Sequence, residues 1–289
     1  MRKLPAVLMA LALGCGFAAH ADTLTLRDDI VSASIEQFFS TPFDHDSLNS
    51  QSDFQDVWVY AGLPGFKVLG KSVFCALEMD LMDRIIDFRG ERLNSSSVLM
   101  QRYGVFAGVT LIDFANQKGT VMAEPGVASD FGRSDPHVWY VQLIYDHRIT
   151  VSGTLKLGLG IQFQYHFDSW RMPFNLLPTV QWQATRKTIL RVAWDKFEIE
   201  RLLSSRLSAV AEVRYDLSFF RLRNSLSWEL ESWSAGGGLN FRMSRDWYVR
   251  LRYKEMLLHR EDVRLEGNTI EDFGKLGGRS VKLSVVKEY

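Results

Sequence analysis

The chain alternates apolar and polar side chains over long stretches, most clearly in residues 155–167. Every second position of that run is apolar: Leu155, Leu157, Leu159, Ile161, Phe163, Tyr165 and Phe167. The positions between them are polar or small: Lys156, Gly158, Gly160, Gln162, Gln164 and His166. Successive side chains of a strand point to opposite faces, so the run predicts a strand with one apolar face. It is longer than the usual ~5–6 residues of a globular strand and suits a tilted membrane-spanning strand of ~9–11 residues.

The same two-residue period recurs almost to the C-terminus and predicts about fourteen strands, or about twelve if the weakest candidates are left out. The predicted strands cover residues 30–40, 53–63, 72–81, 102–111, 118–129, 139–145, 155–167, 174–185, 187–197, 207–217, 221–231, 233–243, 247–254 and 280–289. Short turns alternate with longer loops, apart from a tight link near Ser232, and residues 198–205 suggest a helical turn. We predict an all-β fold, a transmembrane up-and-down antiparallel β-barrel whose short turns and termini face the periplasm.

Alternation alone would also suit a soluble sandwich or ligand-binding barrel, with its apolar faces turned inward. Two further features favour a membrane barrel. Aromatic residues lie near the ends of the apolar faces, as they do at lipid–water interfaces: Trp139, Tyr145, Tyr165, Phe167, Trp228, Trp233, Trp247 and Tyr253. The final residue, Tyr289, lies on an apolar face and resembles the terminal signal through which the barrel-assembly machinery recognises outer-membrane barrels.

The N-terminus has the features of a secretory signal peptide. Arg2 and Lys3 supply positive charge, residues 4–17 are mostly apolar, and Ala19-His20-Ala21 has the form of a cleavage site. We therefore predict a signal peptide over residues 1–21 and a barrel domain over residues 22–289. Residues 11–15 loosely resemble a lipoprotein processing site, which leaves lipidation of Cys15 as an alternative. Without Cys15 only Cys75 remains, so no disulfide within the chain is expected.

The polar faces of the predicted strands carry many charged residues, which a barrel would turn toward its lumen. The candidates for lining the lumen are Glu78, Asp80, Arg102, Glu212, Arg214, Asp216, Arg221, Arg223, Glu229, Glu231, Arg250, Arg252 and Lys254. Charges inside a protein must be paired or hydrated, so these side chains either line a water-filled pore or close the lumen as an ion-pair network. The chain has 34 basic and 34 acidic residues, and this balance gives no indication of a nucleic-acid partner.

Enzyme chemistry finds little support in the sequence. Outer-membrane lipid hydrolases use a serine close to a histidine base, and only His45-Asp46-Ser47 and the segment from His166 to Ser169 bring these residue types together. Neither segment has the His-x-Ser-Asn pattern of the outer-membrane phospholipases. The other histidines lack metal-ligand spacing, so no catalytic residue, metal or cofactor is predicted.

Three segments resemble a family of uncharacterised bacterial outer-membrane β-barrel proteins. They are the stretch from Pro125 to Phe131, the glycine-rich run from Leu157 to Gly160, and Asn175-Leu176-Leu177-Pro178 followed by Trp182. The resemblance covers about residues 120–220 and implies location and fold. It implies no catalytic or binding residues.

These observations predict a porin-like barrel of the Gram-negative envelope, a passive pore or transport-related channel for small polar solutes. Outer-membrane lipid is the expected surrounding partner. A non-conducting structural or surface-interaction barrel is the alternative, and a lipid-modifying enzyme is the third reading.

Overall fold

The computed structural model describes residues 29–41, 51–62, 65–87, 96–130, 138–166, 175–221, 226–265 and 268–288. The predicted signal peptide, Cys15, the His45-Asp46-Ser47 segment and Tyr289 lie outside these ranges. Fifteen strands form one sheet. They are β1 (Asp29–Thr41), β2 (Gln51–Gly62), β3 (Phe66–Val68), β4 (Lys71–Asp87), β5 (Ser96–Phe114), β6 (Gln117–Ser129), β7 (Trp139–Ser152), β8 (Leu155–His166), β9 (Asn175–Thr185), β10 (Thr188–Ala193), β11 (Lys196–Leu202), β12 (Leu207–Arg221), β13 (Leu226–Arg242), β14 (Trp247–Leu265) and β15 (Asn268–Glu288).

The sheet closes into an antiparallel barrel. Strands that follow one another in the chain pair side by side, and β1 pairs with β15 along nearly its whole length. Because β2 and β3 pair with successive parts of β4, they share one position in the wall, and fourteen positions complete the barrel. This confirms the predicted fold. Within the described residues, no helix is long and apolar enough to cross a membrane.

The two rims differ in their connections. At the turn rim, two-residue links such as Leu69-Gly70 join the strands, and both residues of that turn have positive φ. Adjacent φ values of this sign fit the tight hairpin turns whose twist matches that of the flanking strands. The ends of β1 and β15 meet at the same rim, where Asp29 pairs with Glu288. The opposite rim, called the loop rim below, carries most of the longer connections.

The inner and outer faces have opposite character. On β8, the outward side chains of Leu159 and Phe163 are about half exposed, whereas Gln162 between them is 6% exposed and turned inward. The same division holds on β4, where Leu77 is exposed and Glu78 is buried. A soluble barrel would bury its apolar faces, whereas here the charged faces are enclosed. The outer surface is therefore suited to lipid.

The strand count agrees with the sequence prediction, although two boundaries differ. Residues 187–205 form the hairpin of β10 and β11 rather than one strand and a helical turn. Residues 207–221 and 226–242 form two long strands where the sequence predicted three, since β13 continues through Ser232. Trp228 and Leu230 therefore share the inner face with Ser232, and they are only 3% and 6% exposed.

Glycines on inner faces make room for large neighbours. A Cβ added to Gly108 of β5 would overlap the Phe74 ring from β4, and one added to Gly126 of β6 would overlap the Tyr140 ring from β7. These rings therefore lie over glycines of the neighbouring strands. Glycines at inner positions of the strands therefore have a packing role.

The substitution Gly108→Ala is expected to lower the free energy of unfolding by about 1–3 kcal/mol, because the new methyl group displaces the Phe74 ring. Urea unfolding in detergent, followed by tryptophan fluorescence, measures the difference. Gly153→Ala is the matched control, since nothing lies within 4 Å of the Cβ position there. Adding Phe74→Leu should recover part of the loss. Equal stabilities of Gly108→Ala and the control would contradict the close approach.

Candidate functional site in the lumen

An apolar cluster crosses the lumen in the half nearer the loop rim. Its buried members are Phe38, Met82, Met100, Ala128, Tyr140, Phe220, Trp228 and Leu230, with Met256 packed against them. They come from β1, β4, β5, β6 and β7 on one side and from β12, β13 and β14 on the other. Met100 is fully buried and Phe220 is 2% exposed, so the side chains of the two walls interlock. This apolar cluster fills the lumen between those strands.

The two walls meet because β12 leans across the barrel. Near its loop-rim end, Arg221 pairs in parallel with Ser129 of β6. The neighbouring hairpin of β10 and β11 is short, and β11 pairs with β12 only from Ser208 to Arg214. The rest of β12 thus has no β11 partner holding it in the wall. It joins β6 instead, so nine strands surround most of the apolar cluster, and Tyr140 is contributed from β7 outside that ring. The nine strands are β12 to β15, β1, β2, β4, β5 and β6.

A charged network lies below the cluster, and its centre is Glu36 of β1. The Glu36 carboxylate accepts a hydrogen bond from the Ser280 hydroxyl at 2.7 Å. It also lies 3.5 Å from Lys254 Nζ and 3.3 Å from Lys282 Nζ. Glu36 and Lys254 are both buried. The network therefore joins β1, β14 and β15 across the seam that closes the barrel.

A second network forms around Arg102 of β5. Arg102 lies 3.0 Å from Glu124 Oε1 and also donates from Nε to the Tyr140 hydroxyl at 3.0 Å. The Tyr140 hydroxyl in turn donates to Glu124 Oε1 at 2.6 Å. Each of the three side chains thus bonds the other two. A cyclic arrangement of this kind fixes all the side chains and leaves no charge without a counter-ion.

A third group of charges occupies the short hairpin. Arg191 of β10 contacts Glu198 at 2.6 Å and Glu200 at 2.7 Å, both on β11. Ser208 and Asn240 also donate hydrogen bonds to Glu200, which links the hairpin to β12 and β13. The polar half of the lumen therefore contains ion pairs from nine strands, which are β1, β5, β6, β7, β10, β11, β12, β14 and β15.

The structure places most of the predicted lumen residues on inner faces. Glu78 accepts a hydrogen bond from the Trp58 indole at 2.7 Å, and Asp80 lies against Asp56 of β2. Glu212 lies 3.7 Å from Arg252, and Arg214 lies 2.8 Å from Asp216. Arg250, Arg252 and Lys254 occupy successive inner positions of β14.

Four predicted residues are placed differently or lie outside the described positions. Glu229 and Glu231 lie on the outer face of β13, because the inner face there carries Trp228 and Leu230. Glu231 accepts a hydrogen bond from the outward Tyr215 hydroxyl at 3.3 Å. The side chain of Arg221 and the whole of Arg223 fall outside the described residues.

The prediction omitted several inner charges that the structure brings into the networks. They are Glu36, Asp56, Glu124, Asp146, Arg191, Lys196, Glu198, Glu200 and Lys282. Glu124 could have been predicted to face the lumen, since it lies two residues after the inward Met122 on β6. Among the described residues, no group of three or more histidine, cysteine or acidic side chains is arranged to hold a metal ion.

The charges are unevenly distributed around the lumen. Arg250, Arg252 and Lys254 of β14 face Lys282 of β15, and Arg252 is directly paired with Lys282. Like charges directly opposite on one sheet face are unfavourable unless anions offset them. This group of four, called the basic strip below, lies close to the carboxylates of Glu36 and Glu212. Glu198 and Glu200 also act electrostatically on Arg252.

Comparison with known proteins supports the fold. No protein-family model and no curated protein matches the chain. A deletion mutant of the monoaromatic hydrocarbon channel TodX aligns with a TM-score of 0.54 at 8% identity, covering 90% of this chain and 89% of that chain. An outer-membrane channel from Pseudomonas putida F1 aligns with a TM-score of 0.45 at 8% identity, covering 94% of this chain and 100% of that one. The KdgM porin in complex with disordered oligogalacturonate gives a TM-score of 0.38 at 7% identity, over 89% of this chain and 99% of the porin.

The resemblance to one uncharacterised family thus still rests on the motifs in residues 120–220. At these identities a structural alignment shows architecture and not activity. The chain has the fold of outer-membrane β-barrel channels.

Proposed function

We propose that this protein is an outer-membrane channel through which small polar solutes pass passively. The observation that carries the proposal is the enclosure of charged side chains inside a barrel whose outer face is apolar. Buried charges are costly, and a wall lined with them suits a hydrated passage. Residues 1–21 would direct export. The turn rim, where the ends of β1 and β15 meet, would face the periplasm.

Contact with lipid follows from the exposed apolar outer face. Recognition by the barrel-assembly machinery through Tyr289 belongs to the same proposal, because the apolar outer side of β15 leads toward that residue. An alternative function has one observation in its favour. The apolar cluster occupies the lumen near the loop rim, which is what a non-conducting structural barrel would require.

Single-channel recording in planar lipid bilayers tests the choice between these functions. The refolded protein, checked for folding by its heat-modifiable mobility on gels, is expected to give discrete current steps in potassium chloride. A folded and inserted barrel without such steps would overturn the channel and leave the structural role.

The variant carrying both Arg250→Ala and Arg252→Ala is expected to shift ion selectivity toward cations, because it removes two of the four charges of the basic strip. The reversal potential in a salt gradient measures the shift. Arg279→Ala is the matched control, since this side chain lies on the outer face of β15 and is 65% exposed. A reversal potential equal to that of the unaltered protein would exclude the basic strip from the conducting path.

A further inference from the structure

The turn rim carries a group of cations in three neighbouring turns, those between β9 and β10, between β11 and β12, and between β13 and β14. Backbone hydrogen bonds join these turns and the strand ends beside them in a row. The Leu202 N–H donates to the Lys187 carbonyl at 2.8 Å, and the Arg242 N–H donates to the Arg206 carbonyl at 2.7 Å. The cations, called the turn-rim patch below, are Arg186, Lys187, Arg201, Arg206, Arg242 and Arg245.

The turn-rim patch has little negative charge around it. The three turns contain a single acidic residue, Asp246. Glu200, the neighbour of Arg201, faces inward and is held by Arg191 at 2.7 Å. Within the described part of the chain, none of the six cations forms an ion pair with a carboxylate. Like charges held together repel one another, so an anion from outside the chain would stabilise this rim.

The turn-rim patch borders the apolar outer face of the barrel. Along β11, Phe197 and Ile199 face outward and are exposed, whereas Glu198 between them is buried on the lumen side. Arg201 lies two residues beyond Ile199, so its side chain leaves the wall on the same outer face. Leu203, in the turn that follows, is 53% exposed. The cations therefore lie where the lipid-facing surface ends.

Phospholipid headgroups meet a membrane protein at this border. Arginine binds phosphate through two parallel N–H donors, and long basic side chains near the end of a membrane span place their charge among the headgroups. Trp182 of β9, in the strand that leads into the first of these turns, is exposed and belongs to a residue type enriched at the same interface. A soluble acidic partner would account for the charge but not for the exposed Leu203 and Trp182 beside it.

We propose that the turn-rim patch binds the headgroups of anionic phospholipids. The side of the membrane comes from the function proposed above, which places the turn rim in the periplasm, so the lipid would come from the inner leaflet of the outer membrane. The binding itself does not depend on conduction through the barrel. Bound headgroups would neutralise the patch at the open end of the short hairpin of β10 and β11.

Lipid titration of the folded protein in an uncharged detergent tests the site. Phosphatidylglycerol is compared with phosphatidylcholine of the same acyl chains, and native mass spectrometry counts the lipids bound. The variant carrying Arg201→Gln and Arg206→Gln is expected to bind phosphatidylglycerol about tenfold more weakly, because two cations that attract the anionic headgroup are lost. Its weaker binding of phosphatidylcholine should be unchanged.

The variant carrying Lys67→Gln and Lys71→Gln is the matched control. It removes two exposed cations at the same rim, from the hairpin of β3 and β4, and should keep the affinity for phosphatidylglycerol. Equal affinity of the unaltered protein for the two lipids overturns the proposal, and so does an equal loss in the two variants. A soluble polyglutamate peptide that displaces phosphatidylglycerol at equal concentration would assign the patch to an acidic protein partner instead.

The side of the membrane is tested separately in cells. In a Cys75→Ala background, Ser205→Cys places a thiol in the exposed turn between β11 and β12. A polyethylene glycol maleimide too large to cross the outer membrane is expected to label it only after permeabilisation. Labelling of intact cells would overturn the assignment to the periplasmic leaflet. Neither measurement uses current, so failure of the channel function, seen as a folded barrel without current steps, is distinguishable from failure of the lipid site.

Discussion

Replacing Phe220 and Trp228 together by alanine is expected to raise the single-channel conductance severalfold. Both side chains come from β12 and β13, pair directly across the two strands, and are 2% and 3% exposed. They belong to the same buried apolar cluster as Met100 and Tyr140. Their removal leaves a void between walls that are held by the rest of the barrel. Water and ions would then pass where side chains now interlock.

The expected cost in stability is moderate for a barrel of this size. Each large-to-small substitution in a packed interior lowers the free energy of unfolding by about 3–5 kcal/mol. The conductance should therefore be measured at low temperature, on protein shown to be folded by its gel mobility. Trp233→Ala is the matched control, because Trp233 belongs to β13 but faces outward and is 43% exposed. If the folded double variant conducts no better than this control, the apolar cluster does not close the lumen.

Removing the Glu36 carboxylate is expected to cause the largest loss of stability of any single charge substitution. Glu36→Ala leaves Lys254 and Lys282 without their shared counter-ion, and Lys254 is almost fully buried. Breaking a buried ion pair by deleting one partner costs about 3–5 kcal/mol, because the remaining charge is left desolvated. The Ser280 hydroxyl also loses its acceptor. Urea unfolding in lipid vesicles measures the change in the free energy of unfolding.

Two further variants test whether Glu36→Ala loses stability because its ion pairs are buried. Glu255→Ala removes an ion pair between β14 and β15, the strands that carry Lys254 and Lys282, since Glu255 lies 3.6 Å from Arg279. Both side chains there are more than half exposed, so its loss should cost at most about 1 kcal/mol. Glu36→Gln, which keeps an acceptor for Ser280, should fall between the two. Equal losses for Glu36→Ala and Glu255→Ala would show that the buried network adds nothing to stability.

The alternation of apolar and polar residues predicted which face of most strands points outward, because lipid requires apolar side chains on the outer face. Leu77, Leu159 and Phe163 face outward as expected, since any polar residue there would be exposed to hydrocarbon. Inner faces can carry either polar or apolar side chains. The assignment of the two faces was therefore wrong where the inner residues are apolar. Trp228 and Leu230 are apolar because they fill the lumen. Glu229 and Glu231 occupy outer positions near the loop rim, where carboxylates can reach water.

The alternation of apolar and polar residues could not predict contacts between strands that are distant in the sequence. Nothing in the local sequence indicates that β12 meets β6 at Ser129, because the pairing depends on the shortness of a hairpin between them. That hairpin was itself missed, since Trp194-Asp195 lacks the glycine or proline typical of a tight turn. Glu36 and Glu124 were missed although both lie at inner positions of their strands, two residues after Ser34 and Met122 respectively.

The pairing of β1 with β15 has a consequence for how the chain folds. Asp29 is matched with Glu288, so the contact that completes the molecule joins residues from opposite ends of the polypeptide. Contacts of such long sequence separation slow folding, because the entropy of closing the loop is lost before the new hydrogen bonds form. Until that step, β1 and β15 both expose edges capable of pairing with another copy. We therefore expect in vitro refolding to be slow and limited by aggregation, with yield falling steeply as protein concentration rises.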